Sequence, residues 1–339
     1  MSLSTDSKPT GYRGDTGLAC GYLGRRALLG LAAAFACAGL ARAGRAPLDV
    51  VATTGMIADT ARVIGGDAVS VQALMGPGID PHSFRQTRSD IAALTRAELV
   101  LWHGLYLEAQ MEEFLLRLAE RQPVVAVGES VPLSLRIAHP DYEGRFDPHV
   151  WMVPGLWRHV VDAIAVALAE ARPEAAEAFA RNARALRDDL ERLGAYATEV
   201  LATVPPSARV LVTAHDAFGY FGRAYGFEVE GIQGISTESE AGLARIRDLV
   251  DLIVARGIRA VFVESTVSDR NVRALVEGAA ARGHEVRIGG ELFSDAMGQP
   301  GTYEGTYMGM IDHNITTIAR ALGGQAPARG LNGRLAAEG

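Results

Sequence analysis

From Glu174 to about Val204 the sequence carries an unbroken helical pattern. Phe179, Ala183, Leu186, Leu190, Leu193, Ala197, Val200 and Val204 recur there at three- and four-residue spacing. Pro173 suits a helix start, and Pro205-Pro206 forces an end. A helix of about 30 residues spans about 45 Å at 1.5 Å per residue. Such a rod either packs along one domain or joins two. A fresh strand–helix series begins directly after it, so it reads as a rigid spine between two lobes.

Both flanks alternate strand with helix. Before the spine, Leu48–Thr53, Ala68–Met75, Glu98–Trp102 and Pro123–Val127 read as strands. Helical patterns lie between them at Gly55–Ile64, Ser89–Ala97 and Leu107–Arg121, and a looser segment, Glu129–Pro148, precedes a helix over Gly155–Ala171. After the spine come strands at Ala208–Thr213, Glu228–Gln233, Ala260–Glu264 and His284–Ile288. Helices are expected over Gly242–Ala255, Asp269–Arg282 and about Tyr303–Leu322, with a frayed tail after Gly323. Apolar strands separated by helices predict an α/β fold: two Rossmann-like lobes with small parallel sheets covered by helices. The expected boundaries are 1–43 signal peptide, 44–172 N-terminal lobe, 173–204 linking helix and 205–339 C-terminal lobe.

The leader predicts export. Arg25-Arg26 precede an apolar run, Ala27–Ala41, too short to span a bilayer comfortably, and Ala41-Arg42-Ala43 fits a small-x-small cleavage site. The long polar stretch before the twin arginines is of the Tat type, with a Sec signal the alternative. Ala34 and Phe35 do not form a lipoprotein box before Cys37, so cleavage in favour of a free periplasmic chain is preferred over lipidation. Cys20 and Cys37 both fall in the leader, which leaves the mature chain no disulfide or thiolate metal site. The whole chain carries −7 and the leader +3, so the mature part carries −10, which argues against nucleic acid as a partner.

Four positions stand out once the strands are drawn. His82 lies in the stiff turn Gly76–Arg85 after the second strand, and His149 in Asp147-Pro148-His149-Val150-Trp151. His215 follows the strand Ala208–Thr213, and Asp295 follows the last strand. At least three of the four thus sit at carboxyl ends of strands, where parallel sheets collect ligands. Their separations of 67, 66 and 80 residues match no local metal signature. The combination permits a tetrahedral cage of three imidazoles and one carboxylate, although each histidine taken singly reads as structural.

The segments GPGIDPHSF, DPHVWMVP, TAHDAFGYFGRAYG and ELFSDAMG, in this order and with the long helix between the second and third, resemble the ligand-bearing motifs of the metal-binding solute-binding proteins of zinc and manganese ABC importers, the ZnuA/TroA type. The resemblance covers about Pro47 to Leu322. It implies His82, His149, His215 and Asp295 as metal ligands, a metal buried between two lobes, and no catalysis. Zn2+ or Mn2+ would be the transported ligand, and the partner an ABC permease in the inner membrane. A monomer is expected. Three imidazoles with one carboxylate suit zinc, whereas the ending GELFSDAMG…GTYEGTYMGMIDHNITTI looks closer to the branch that also handles manganese.

Other residues carry weaker expectations. His103 reads as a polar residue near the site, at a position where the family usually has Asn, and His139 as a solvent-exposed loop residue. His159, His284 and His313 read as structural. Glu264 would orient a ligand imidazole or cap a helix, Asp216 would cap the helix after His215, and Trp151 and Phe218 would pack in the core or shield the site. Two rival functions are a zinc hydrolase, with Glu264 or Asp216 as base, and a binding protein for an organic solute or metal chelate; the second is disfavoured by an aromatic content of 6%.

Overall fold

The strands form where apolar, β-branched runs end in turn residues. The computed structural model describes residues 46–140 and 142–336; the signal peptide, its export type, Cys20 and Cys37 lie outside the described residues. The first half holds β1 (Leu48–Ala52), β2 (Val69–Ala73), β3 (Leu99–Trp102) and β4 (Val124–Ala126) in one parallel sheet of order β2-β1-β3-β4. Helices α1 (Gly55–Gly65), α2 (Arg88–Arg96) and α3 (Glu112–Ala119) connect these strands. Thr87 begins α2 with a reciprocal cap, its hydroxyl taking the Asp90 amide while the Asp90 carboxylate takes the Thr87 amide.

Helix α4 (Pro154–Ala171) leads into a 3-10 turn at Pro173–Ala175 and then α5 (Ala176–Ala202), the expected spine, 27 residues long. Its buried stripe includes Phe179, Leu186, Leu190, Leu193, Ala197 and Val200. Each fully buried leucine there contributes about 1.5–3 kcal/mol relative to exposure. Two polar contacts fasten its ends to different halves. Asn182 Nδ2 donates to the Ile64 carbonyl of α1 at 2.8 Å, and the Tyr196 hydroxyl meets Thr316 Oγ1 at 2.9 Å on α9 (Tyr307–Ala321). These anchor points lie about 21 Å apart along the helix axis.

The second half holds two two-stranded parallel sheets. One pairs β5 (Val210–His215) with β6 (Glu228–Gln233), the other β7 (Ala260–Glu264) with β8 (Arg287–Leu292), the latter with a register irregularity between Val261 and Val263. Helices α6 (Gly219–Tyr225), α7 (Leu243–Arg256) and α8 (Arg270–Ala280) complete it. From Pro47 onward the chain holds together as one unit, with one apolar core running from β1 and α1 through α4 and α5 to α9. Separate clusters lie between β5, β7, α7 and α8, and on the other face of the first sheet. Among the described residues no helix is long and apolar enough to cross a membrane.

Three local expectations are corrected. The last strand is Arg287–Leu292 rather than His284–Ile288, because Gly289-Gly290 hides its alternation. The tail is docked, not frayed: both oxygens of buried Asp312 take the Leu331 amide at 3.0 Å, Gln325 donates its amide to Thr203, and Leu335 is buried. Gly330 permits this approach, since its φ is +69° and a Cβ there would meet the Asp312 carboxylate at 2.4 Å. His139 is buried, not exposed; an antiparallel bridge between Ala138 and Phe146 closes the loop over it, and its ring lies 4.7 Å from that of Tyr142.

Candidate metal centre

Three of the four candidate side chains sit at carboxyl ends of strands. His82 follows β2 through a proline-stiffened turn, His215 is the last residue of β5 rather than the one after it, and Asp295 lies three residues beyond β8. His149 comes from the connection before α4, at the head of a 3-10 turn over Val150–Met152. The structure brings all four together. One donor atom from each lies within 4.8 Å of the others, and all four residues are buried.

The inner edges have the dimensions of a coordination polyhedron. His149 Nε2 stands 3.4 Å from both His82 Nε2 and His215 Nε2. Asp295 offers Oδ1 at 3.4 Å from His149 Nε2, and Oδ2 at 3.1 Å from His215 Nε2 and 3.9 Å from His82 Nε2. A tetrahedron with metal–nitrogen bonds of 2.0–2.1 Å has edges of about 3.3 Å.

Two carboxylates behind the rings set which nitrogen faces inward. His149 Nδ1 lies 2.7 Å from Asp147 Oδ1, and His215 Nδ1 contacts Glu264 Oε2. A carboxylate accepts, so each Nδ1 carries a proton, and each Nε2 is the nitrogen aimed at the other three side chains. The same carboxylates also take the backbones of these histidines, Asp147 Oδ1 from the His149 amide and Glu264 Oε1 from the His215 amide, both at 2.9 Å. Neither Asp295 oxygen has a hydrogen-bond partner. A carboxylate buried in this way is costly unless positive charge offsets it, either protons on the facing Nε2 atoms or a cation among them.

The electrostatics of the four-residue cluster favour a cation. Burial alone would lower the His149 pKa, but Asp147 and then Asp295 outweigh it and raise it to about 9. His215 is likewise raised well above its ordinary value, with Glu264 and Asp295 overcoming burial. Burial would raise Asp295, yet His215 and His149 hold it well below the usual carboxylate range. His82 differs: burial pulls it down to about 4, and Asp295 only partly offsets this.

Further contacts hold the donors in place. Asn314 of α9 clamps the Asp295 loop, accepting the Phe293 amide at 2.9 Å and donating to the Phe293 carbonyl at 2.7 Å. Trp151 donates its indole N–H to the Ser294 carbonyl at 2.7 Å, and its ring lies 5.1 Å from that of His149. Trp151 therefore both fills the core and walls the cluster, while Phe218 is buried in the core. His103 does not join the four. Its Nε2 donates to the Pro148 carbonyl at 2.7 Å, directly before His149, and burial pushes its pKa down to about 3. Gly128 leaves room for that ring, since a Cβ would lie 2.8 Å from His103 Nε2.

Asp216 does not cap the following helix, because α6 begins at Gly219 with Phe218 at its cap. Burial, and then the Asp147 charge, raises the Asp216 pKa. His284 and His313 donate to the carbonyls of Ile258 and Glu291, structural contacts at 2.7 and 2.9 Å. Sequence reasoning missed the role of Asp147 and Asn314. For Asp147 a signal existed in the Asp-Pro-His spacing; for Asn314, 21 residues from its partner, none did.

Comparison with known proteins gives a consistent assignment. The family model described as ZnuA, "Zinc-uptake complex component A periplasmic", matches residues 50–321. The manganese-binding lipoprotein MntA of Bacillus subtilis (strain 168) is 49% identical over 276 residues, covering 81% of this chain and 90% of MntA. The zinc-binding protein TroA of Treponema pallidum is 47% identical; its solved structure superposes with a TM-score of 0.80, covering 82% of this chain and 99% of that one. The iron-binding protein YfeA of Yersinia pestis is 32% identical over 275 residues, covering 81% of this chain and 86% of YfeA. The sequence preference against lipidation finds no support among these relatives, since MntA is named a lipoprotein. The chain belongs to the ZnuA family of periplasmic zinc-uptake components.

Proposed function

We propose that this protein is the extracytoplasmic solute-binding component of an ABC importer. His82, His149, His215 and Asp295 would enclose one divalent transition-metal ion, which is cargo and not a resident cofactor. The carrying observation is Asp295, buried, accepting no well-aligned hydrogen bond on either oxygen, and faced by three imidazole nitrogens at 3.1–3.9 Å. Three imidazoles and one carboxylate favour Zn2+, with Mn2+, which the relative MntA is named as binding, the competitor. The two lobes would be 44–172 and 205–339, with 173–204 as the spine between them. Delivery is to a permease in the inner membrane, and the protein acts as a monomer.

The fit of four protein donors to a tetrahedral ion leaves no position for a hydrolytic water, which supports binding and delivery over hydrolysis. Glu264 and Asp147, which contact the outer edges of the rings, are engaged with Nδ1 atoms and backbone amides. An organic solute would need a cavity at the cluster, and these four donors touch one another instead.

The test is metal analysis of the purified protein after exposure to equal zinc and manganese. The expected result is one metal per chain with zinc in excess, falling to trace levels in His215→Ala. Stoichiometric metal in that variant would overturn the assignment.

A further inference from the structure

Three of the four donors belong to one hydrogen-bonded block. His215 and Asp295 come from the second half. His149 comes from the first, yet its segment is fastened to α6: the Tyr220 hydroxyl donates to the Asp147 carbonyl at 2.9 Å and accepts the Ile137 amide at 2.9 Å. Arg223 also donates to the Leu135 carbonyl. Trp151, two residues after His149, is held to the Asp295 loop through Ser294 and to α9, where the Tyr307 hydroxyl donates to its carbonyl at 2.8 Å.

The fourth donor is held differently. Asp80 Oδ1 accepts the His82 amide at 2.9 Å, and Oδ2 accepts the Ser83 hydroxyl at 2.9 Å. Asp80 thus shapes the turn that carries His82. The same Oδ2 also accepts the Thr237 hydroxyl at 2.5 Å, from the loop between β6 and α7. The neighbouring pair Gln110–Glu238 spans the same gap, and the Gly78 backbone lies beside the Ser265 carbonyl. Among the described residues, the one carboxylate in ion-pairing range of the His82 ring is Asp295, on the inward Nε2.

From this asymmetry, and resting on the proposed metal site, we infer that His82 is the donor that leaves and returns during metal exchange, and that the Asp80–Thr237 hydrogen bond is the catch that holds its turn closed. Thr237 is a positioning residue: it touches no donor atom and acts through the carboxylate that sets the His82 backbone. A hydroxyl–carboxylate bond of this length is charge-assisted, so losing it should change the lifetime of the closed state roughly tenfold. Most such changes appear in dissociation rather than association.

The full-length protein, loaded with zinc, is mixed with excess chelator and the release rate followed by stopped flow. Thr237→Val keeps the side-chain shape and removes the donor; release should quicken about tenfold. Thr237→Ser keeps the hydroxyl and should restore the wild-type rate. In a His82→Ala background the Thr237→Val effect should vanish, because the catch then has no donor to hold. A wild-type rate in Thr237→Val, a Ser variant as fast as Val, or an undiminished effect in His82→Ala would each overturn the catch while leaving the metal site standing. A wild-type protein that holds no zinc would overturn both.

Discussion

Asp80-Pro81-His82 and Asp147-Pro148-His149 are the same tripeptide in two settings. In each, the aspartate Oδ1 accepts the amide of the histidine two residues on, at 2.9 Å. There the likeness ends. Asp147 Oδ1 also takes the His149 ring Nδ1, whereas Asp80 spends its second oxygen on Ser83 and on Thr237 across the cluster. The consequences are opposite in sign. Asp147 and Asp295 overcome burial to lift the His149 pKa to about 9, while burial takes His82 down to about 4. One local motif thus builds a fixed donor that must shed a proton to bind a cation, and a movable donor that already presents a lone pair.

The largest expected effect is that of pH. The His149 pKa is raised to about 9 and that of His215 is raised as well, so at pH 6–8 a cation must displace a proton from the His149 ring. Lowering the pH makes that displacement harder, so affinity falls as pH falls. Each displaced proton contributes about a tenfold loss per pH unit. Zinc titration at pH 8 and pH 6 should therefore differ by at least about a hundredfold if one proton is lost. Equal affinities would break the comparison at its electrostatic root, because no ring would then be holding a proton against the metal.

A smaller effect should separate the two aspartates. Asp147→Asn weakens the acceptor that orients the His149 ring and should cost about 10–100-fold in zinc affinity, as loss of a histidine's carboxylate partner does at other metal sites. Asp80→Asn keeps an oxygen for the His82 amide and should cost less than about tenfold, with its effect concentrated in release. Calorimetry on the two variants orders them; equal losses would mean that the tripeptides are equivalent after all.

The four clustered side chains could be picked out in the sequence because each lies in a stretch whose local chemistry is unusual: prolines beside His82 and His149, and strand ends at His215 and Asp295. The sequence carried the long helix because proline bounds an apolar stripe of period 3.6; the first three residues of the expected span form a 3-10 turn, and the α-helix ends at Ala202. What it hid depends on contacts far apart in the chain. Glu264 reaches His215 across 49 residues, and its alternative as a helix cap is as consistent with the local sequence. Asp147 is the exception, since its ring contact is only two residues away and the Asp-Pro-His spacing is its local signal. The tail looked too polar to dock, yet one buried carboxylate, Asp312, with a glycine opposite it, holds the backbone at Leu331. His139 looked exposed because the bridge that covers it pairs residues on either side of a loop.

Four distant side chains that converge on one cation leave no place for water. Anomalous diffraction at the zinc edge, from crystals of the zinc-loaded protein, tests it most directly. One peak is expected, about 2.0–2.2 Å from the Nε2 atoms of His82, His149 and His215 and from an Asp295 oxygen. A peak elsewhere, or one in which water replaces any of these donors, would contradict it.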